Sequence, residues 1–362
     1  MIPAQYYHSI YLILVTILTF VVGSKYSHYD SNRIYSGGKE DFFPSFLLCI
    51  VASVFIGLRP ISGRYFVDMA NYANGWFLFD EGVFHFSLDR ENFLFDNLRA
   101  FMSTAGIPVE SFFMLISIIY FVSAYIAIRK LFPNDTLLVY LIFLAAFSTF
   151  SYGTNGIKAG SAASLFLVAL AYRDNLKVSI PMAIISLGFH HSMIMVLCSY
   201  LIVLLIKNPR YYFFLWIFSF LIAAAHITVF QMLFNSMSDE QGQEYLSDTL
   251  GSGFRIDFIL YSAIPVLVGY IVVYKKGINS MMYNTILSLY LMTNSIWMMC
   301  MYASFTNRIA YLSWFLYPIV LIYPFLKENW GLRQFNYAKL VSYGHLAFTI
   351  FMSVIYYGLL SL

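Results

Sequence analysis

Apolar runs of spanning or near-spanning length recur along this chain at residues 8–24, 43–58, 111–128, 136–152, 159–172, 211–230, 258–274, 280–305, 309–326 and 337–361. A bilayer core about 30 Å thick takes about 20 apolar residues of helix to cross, so these runs predict ten membrane crossings. The middle of the chain adds a puzzle: Val178 to Ile206 is 29 residues of almost unbroken apolar sequence with Phe-His-His-Ser, Phe189 to Ser192, at its centre. One helix of that length overshoots the core, and two full helices need roughly 40 residues. The stretch is therefore one long tilted helix or a tight hairpin of two short ones. Run ends carry Tyr211, Tyr212, Tyr274, Trp314 and Trp330, as expected of an interfacial aromatic belt.

Charge chooses between the two arrangements. With the N-terminus outside and a hairpin at 178–206, the chain makes twelve crossings, and 14 of its 21 basic residues fall on the inside. A single crossing there leaves nine inside and twelve outside, against the positive-inside rule. The hairpin is preferred, its Phe-His-His-Ser tip facing outward. Two outer segments are longer than a connection requires. Residues 59–107 contain Phe86 to Ser103, where Leu94, Leu98, Phe101 and Met102 fall on one helical face and Asn92, Asp96, Arg99 and Ser103 on the other, which predicts an amphipathic helix. Residues 231–257 carry Asp239, Glu240, Glu244, Asp248 and Asp257 with Gly251 and Gly253, a loop of the size that serves as a lid.

Composition fits. The chain has 362 residues, 60% hydrophobic, 20% aromatic and only 11% charged, with mean hydropathy +0.72. That describes one all-α polytopic membrane domain, not a soluble one. A net charge of +3 with dispersed lysines and arginines excludes a nucleic-acid binder. Cys49, Cys198 and Cys300 lie far apart in apolar runs without metal-site spacing, so core packing is expected of them. No basic residue precedes the first run, so it is expected to be a retained helix and not a cleaved signal.

Seven basic residues remain on the outer side: Arg59, Arg64, Arg90, Arg99, Lys158, Arg255 and Arg308. A guanidinium fork suits phosphate, and at a membrane surface a lipid diphosphate calls for several. Arg90 and Arg99 read better as solvated loop charges. Lys158 and Arg308 occupy short turns between long apolar runs, which places them at the membrane edge or in a cleft. Residues 57–72 pack Arg59, Arg64, Asp68, Asn71 and Tyr72 together; Asp68 orients the arginines as a structural ion pair or serves as a base. His190 and His191 are the other candidate bases or a cap on the hairpin turn. His226 and His345, alone within other runs, read as core histidines. Trp76, Phe77 and Phe79 offer faces for sugar rings, although membrane burial accounts for most aromatics. There is no Asp-x-Asp pair, so no metal and no cofactor is expected.

Arg59, Asp68 and Tyr72 after the second run, Glu91-Asn92-Phe93 before the amphipathic helix, the Asn155–Tyr172 stretch, the Phe-His-x-Ser tip and Thr306–Pro324 recur here in one order. Together, over roughly residues 55–325, they resemble the EpsG-type and Wzy-type polymerases of bacterial O-antigen and exopolysaccharide repeat units. The resemblance implies a GT-C-like architecture in the inner (cytoplasmic) membrane with its active site facing the periplasm. The implied substrates are undecaprenyl-diphosphate-linked oligosaccharides, the lipid diphosphate being the leaving group; a chain-length regulator is a conceivable partner. By position Arg59, Asp68, Tyr72, His190 and Arg308 match the family's recurring polar positions. Where relatives read Asn-x-x-Arg-Gln, this chain has Asn155, Gly156, Ile157, Lys158 and Ala159, which keeps the charge and loses the fork. The gap from Arg59 to Asp68 is longer than usual, so Arg64 is an alternative in the arginine role. The expected site therefore comprises His190, Asp68 and His191 for proton transfer, and Arg59, Arg64, Tyr72, Glu91, Lys158, Arg255 and Arg308 for diphosphate and sugar. A lipid-linked oligosaccharide flippase, a ligase-like transferase and a membrane O-acetyltransferase are the rival readings.

Overall fold

The computed structural model describes residues 2–26, 39–76, 83–235, 253–328, 330, 334–356 and 358. Among them the regular elements are all helical: α1 (Tyr7–Lys25), α2 (Lys39–Gly57), α3 (Val67–Asn74), α4 (Phe93–Thr104), α5 (Val109–Leu131), α6 (Thr136–Leu144), α7 (Phe147–Thr154), α8 (Ile157–Ala171), α9 (Leu176–Phe189), α10 (Met193–Leu205), α11 (Pro209–Ala224), α12 (Val229–Asn235), α13 (Ile256–Tyr270), α14 (Met281–Met299), α15 (Thr306–Trp314), α16 (Tyr317–Lys327) and α17 (Gln334–Ile350). They form two compact units, Met1–His190 with Trp330–Leu362, and His191–Asn329.

Among the described residues four stretches are long and apolar enough to cross a membrane alone: Ala4–Lys25, Val109–Leu131, Ile256–Lys275 and Thr306–Lys327. A fifth counts if α6 and α7, bent by 71°, make one span. Several other apolar runs form helices of 10–17 residues, shorter than the about 20 residues of a full crossing.

In the first unit α5 and α8 form the centre, with α2 on α5 and α9 on α8; α1 packs on α6 and α17. The run 136–152, expected as one helix, breaks between Leu144 and Phe147, where Ala146 is extended. Carbonyls freed by such a break must find donors, since lipid offers none. Here they do: Phe143 O accepts from Thr149 Oγ1 at 2.6 Å, Leu144 O from the Tyr11 hydroxyl at 2.7 Å, and Ala145 O from Thr349 Oγ1 at 2.7 Å. Tyr11 is on α1 and Thr349 on α17, so the break is stitched by helices from both ends of the chain. Beyond it, α7 turns tightly into α8. A Cβ at Gly160 would lie 2.6 Å from the Tyr152 carbonyl oxygen, a backbone atom that no rotamer change moves aside.

In the second unit α10, α11, α13, α15 and α16 pack around α14. Its core is knit by polar groups. Asn294 accepts from Trp216 Nε1 at 2.8 Å and donates to Ser262 Oγ at 3.1 Å and Ser313 Oγ at 3.0 Å. Trp314 Nε1 donates to Ser262 Oγ at 2.9 Å and Trp297 Nε1 to Thr306 Oγ1 at 2.9 Å. Trp314, expected in an interfacial belt, is buried core, and so is Tyr212; Tyr211 and Tyr274 are exposed.

Three further expectations meet the structure. The 178–206 stretch breaks at the histidines: α9 ends at Phe189, His190 is extended, and α10 begins at Met193. The amphipathic helix is shorter than expected, and its buried side is mixed: Asn97 and Ser103 are buried alongside Phe95, Ala100 and Met102, while Phe101 is exposed. Cys49 and Cys300 are buried as expected of core cysteines, whereas Cys198 is exposed. Of the acidic loop, Asp239, Glu240, Glu244, Asp248 and Gly251 lie outside the described residues, as do Phe77 and Phe79.

Candidate active site

In the first unit the candidates gather about Phe95, which is fully buried on α4. Its ring lies 5.7 Å from the Tyr72 ring, 6.1 Å from that of Phe189 and 6.0 Å from Lys158 Nζ. Phe189 ends α9 immediately before His190, whose N–H still donates to Ser186 O at 3.2 Å. Thus two members of the expected set, Tyr72 on α3 and Lys158 on α8, meet at an aromatic hub on α4, which the end of α9 reaches through Phe189. Lys158, half-buried, stands in the first turn of α8. Asp68, half-buried, is in the first turn of α3, and Glu91 is exposed just before α4.

The arginines divide by what holds them. Arg59 is 3% exposed. Its Nη1 donates to Ile56 O at 2.8 Å and its Nη2 to Thr154 O at 2.9 Å, and the guanidinium lies 5.8 Å from the Phe66 ring and 5.5 Å from that of Phe113. Burial lowers its pKa to about 9, which leaves it charged at neutral pH. Arg64 is exposed, beside the Tyr65 ring at 5.4 Å.

Arg99, read from sequence as a solvated loop charge, is half-buried instead. Its Nη2 donates to Tyr72 O at 3.3 Å, and its guanidinium lies 5.3 Å from the Tyr72 ring. Burial lowers its pKa too, against Tyr72 and Asp96, which raise it. One turn further on, Ser103 Oγ donates to Trp76 O at 2.6 Å. The two donors, four residues apart on one face of α4, hold the end of α3 and the residues after it. The i, i+4 spacing of Arg99 and Ser103 was visible in the sequence as a polar stripe; what it grips was not. Trp76 is buried, with its Nε1 donating to Ile107 O at 3.2 Å, so its faces are not open to a sugar.

In the second unit Arg255 closes a two-pronged pair with Asp257, Nε to Oδ1 at 2.9 Å and Nη2 to Oδ2 at 2.6 Å, and stacks 3.6 Å from the Phe258 ring. Its backbone N–H points at Met301 Sδ, 3.4 Å away, beside the turn that leads to Arg308. Arg308 stands in the first turn of α15, half-buried, 5.0 Å from the ring of Phe305, whose backbone is left-handed at φ 51°. His191 is half-buried just ahead of α10. His226, expected in a core, is exposed at φ 55° with its ring 3.9 Å from that of Tyr302; His345 is buried.

The model of a known protein family matches residues 45–360 of this chain. The chain belongs to the EpsG family. The match takes in both units and every candidate residue above. No curated protein and no solved structure matches the chain. Membership in the EpsG family, with the apolar helices, is consistent with a glycosyltransferase-like polysaccharide polymerase held in a membrane.

Proposed function

We propose that this EpsG-family protein joins oligosaccharide repeat units carried on undecaprenyl diphosphate, at the outer face of the bacterial cytoplasmic membrane. The observation that carries the reading is the family match over residues 45–360. The meeting of Tyr72, Lys158 and the Phe189–His190 corner at Phe95 supports a site in the first unit. A hydroxyl of the incoming unit attacks the anomeric carbon of the growing glycan, the bond to the diphosphate oxygen breaks, and the lipid diphosphate leaves. The glycosyl group passes through oxocarbenium character, as in glycoside hydrolysis. Lys158 and Arg64 neutralise charge growing on the diphosphate. His190 or Asp68 takes the proton of the attacking hydroxyl. Arg255 is already paired with Asp257. Twelve crossings, a GT-C-like arrangement and outward-facing histidines belong to this proposal.

Gels of lipid-linked glycan from cells with and without the gene test it. Loss of the ladder, with single repeat units still reaching the surface, is expected; units stranded inside point to a flippase. His190→Ala and Arg308→Ala each leave the protein in the membrane and abolish polymer. Normal polymer in either variant removes that residue from the site.

A further inference from the structure

Arg59 matches a recurring polar position of the family, yet its surroundings are those of a clamp. Nη1 and Nη2 meet carbonyls at the C-terminal ends of two helices, Ile56 of α2 and Thr154 of α7. Helix C-termini carry partial negative charge, so these ends stabilise a buried cation without a carboxylate. With aromatic rings of Phe66 and Phe113 beside it and 3% of its surface exposed, the guanidinium has no open side for an external ligand. Thr154 is the last residue of α7, and three residues later the first turn of α8 presents Lys158 towards Phe95. The intervening turn is short and internally bonded: Asn155 N–H to Ser151 O at 2.8 Å, Ile157 N–H to Asn155 O at 2.7 Å and Gly160 N–H to Gly156 O at 2.8 Å. A force on the Thr154 carbonyl is therefore passed along the turn to Lys158.

We infer that Arg59 is a positioning residue: it fixes the α7–α8 turn to the end of α2 so that Lys158 is held where the diphosphate docks. The inference rests on the polymerase reading for what Lys158 does, and on geometry alone for what Arg59 does. Its fork is needed because two carbonyls on different helices must be reached at once; a lysine reaches one.

The first measurement needs no catalysis. With Cys49, Cys198 and Cys300 replaced by alanine and Lys158→Cys introduced, the rate of maleimide labelling is followed in detergent-solubilised protein, with Arg59 intact and with Arg59→Lys or Arg59→Met. Protected positions react through local opening, so loss of a charge-assisted clamp speeds labelling about tenfold. Arg59→Lys gives an intermediate rate, and a control cysteine at Ser192 is unchanged. An equal rate at position 158 in all three proteins overturns the clamp. The second measurement is a cycle of Arg59→Lys, Lys158→Ala and the double variant, read as glycan ladder length at matched protein level. If Arg59 acts through Lys158, the double variant is no shorter than Lys158→Ala; a further shortening makes Arg59 a ligand in its own right and overturns the inference. A ladder untouched by Lys158→Ala removes Lys158 from the polymerase site, and the labelling rates then still report on the clamp separately.

Discussion

Asn294 shows how much one residue does in this chain. Fully buried, it joins α11, α13 and α15 to α14 through Trp216, Ser262 and Ser313. Asn294→Ala takes the acceptor from Trp216 Nε1, at about 1–3 kcal/mol for a buried unpaired group, and removes the links to Ser262 and Ser313, whose hydroxyls keep Trp314 Nε1 and Ala310 O. The detergent-solubilised variant is expected to melt several degrees below the parent, and Asn294→Ser, which keeps one hydroxyl, to fall between. A melting temperature unmoved by Asn294→Ala shows that the network contributes nothing to stability. Single residues were also the hardest thing to read from sequence. Arg59 and Arg99 both fell in the long outer segment, one assigned to the ligand and the other to solvent. In the structure both donate to carbonyls at helix ends, because a side chain's partner is set by which helix terminus folds against it, and that is long-range information. Tyr72 and Lys158 stood out in the sequence as polar groups beside apolar runs, and the structure sets both near Phe95.

At the scale of elements, the sequence announced the break at Phe189–Ser192, because 29 apolar residues overshoot one crossing and the count of basic residues favours two. It gave no sign of the break between α6 and α7. Residues 141–147 read Leu-Ile-Phe-Leu-Ala-Ala-Phe, with neither proline nor glycine, and the hydroxyls that make the break tolerable sit on other helices as well as α7. Those hydroxyls give the element-level prediction. Tyr11→Phe and Thr349→Val each leave one carbonyl of the break without its donor, at about 1 kcal/mol apiece. Each variant is expected to melt below the parent in detergent, and the pair below either one. If the double variant melts with the parent, the freed carbonyls are satisfied in another way. The amphipathic helix teaches the converse lesson: its period was legible, but not which residues are buried, because apolar and polar side chains share its buried side.

For the whole molecule, the all-helical membrane character was legible from apolar run length alone, while the full-length spans are fewer than the runs. A run reports hydrophobicity and not straightness, so a bent pair and a short helix look the same as a crossing. Sidedness is the testable property at this scale. Single cysteines at Ser192 and Asn307, in a chain free of its own cysteines, are expected to react with a membrane-impermeant thiol reagent added to intact spheroplasts. Protection of both until the membrane is opened places the histidine and arginine turns in the cytosol, away from any lipid-linked glycan delivered outside.

The first unit is completed by residues that follow the whole second unit in the chain. Thr349, which covers the bare oxygen of Ala145, is translated more than two hundred residues after it, with the entire second unit emerging in between. Until then the nascent α6–α7 corner waits in the membrane without that donor. A chain lacking α17 leaves the Ala145 carbonyl without the Thr349 hydroxyl that covers it.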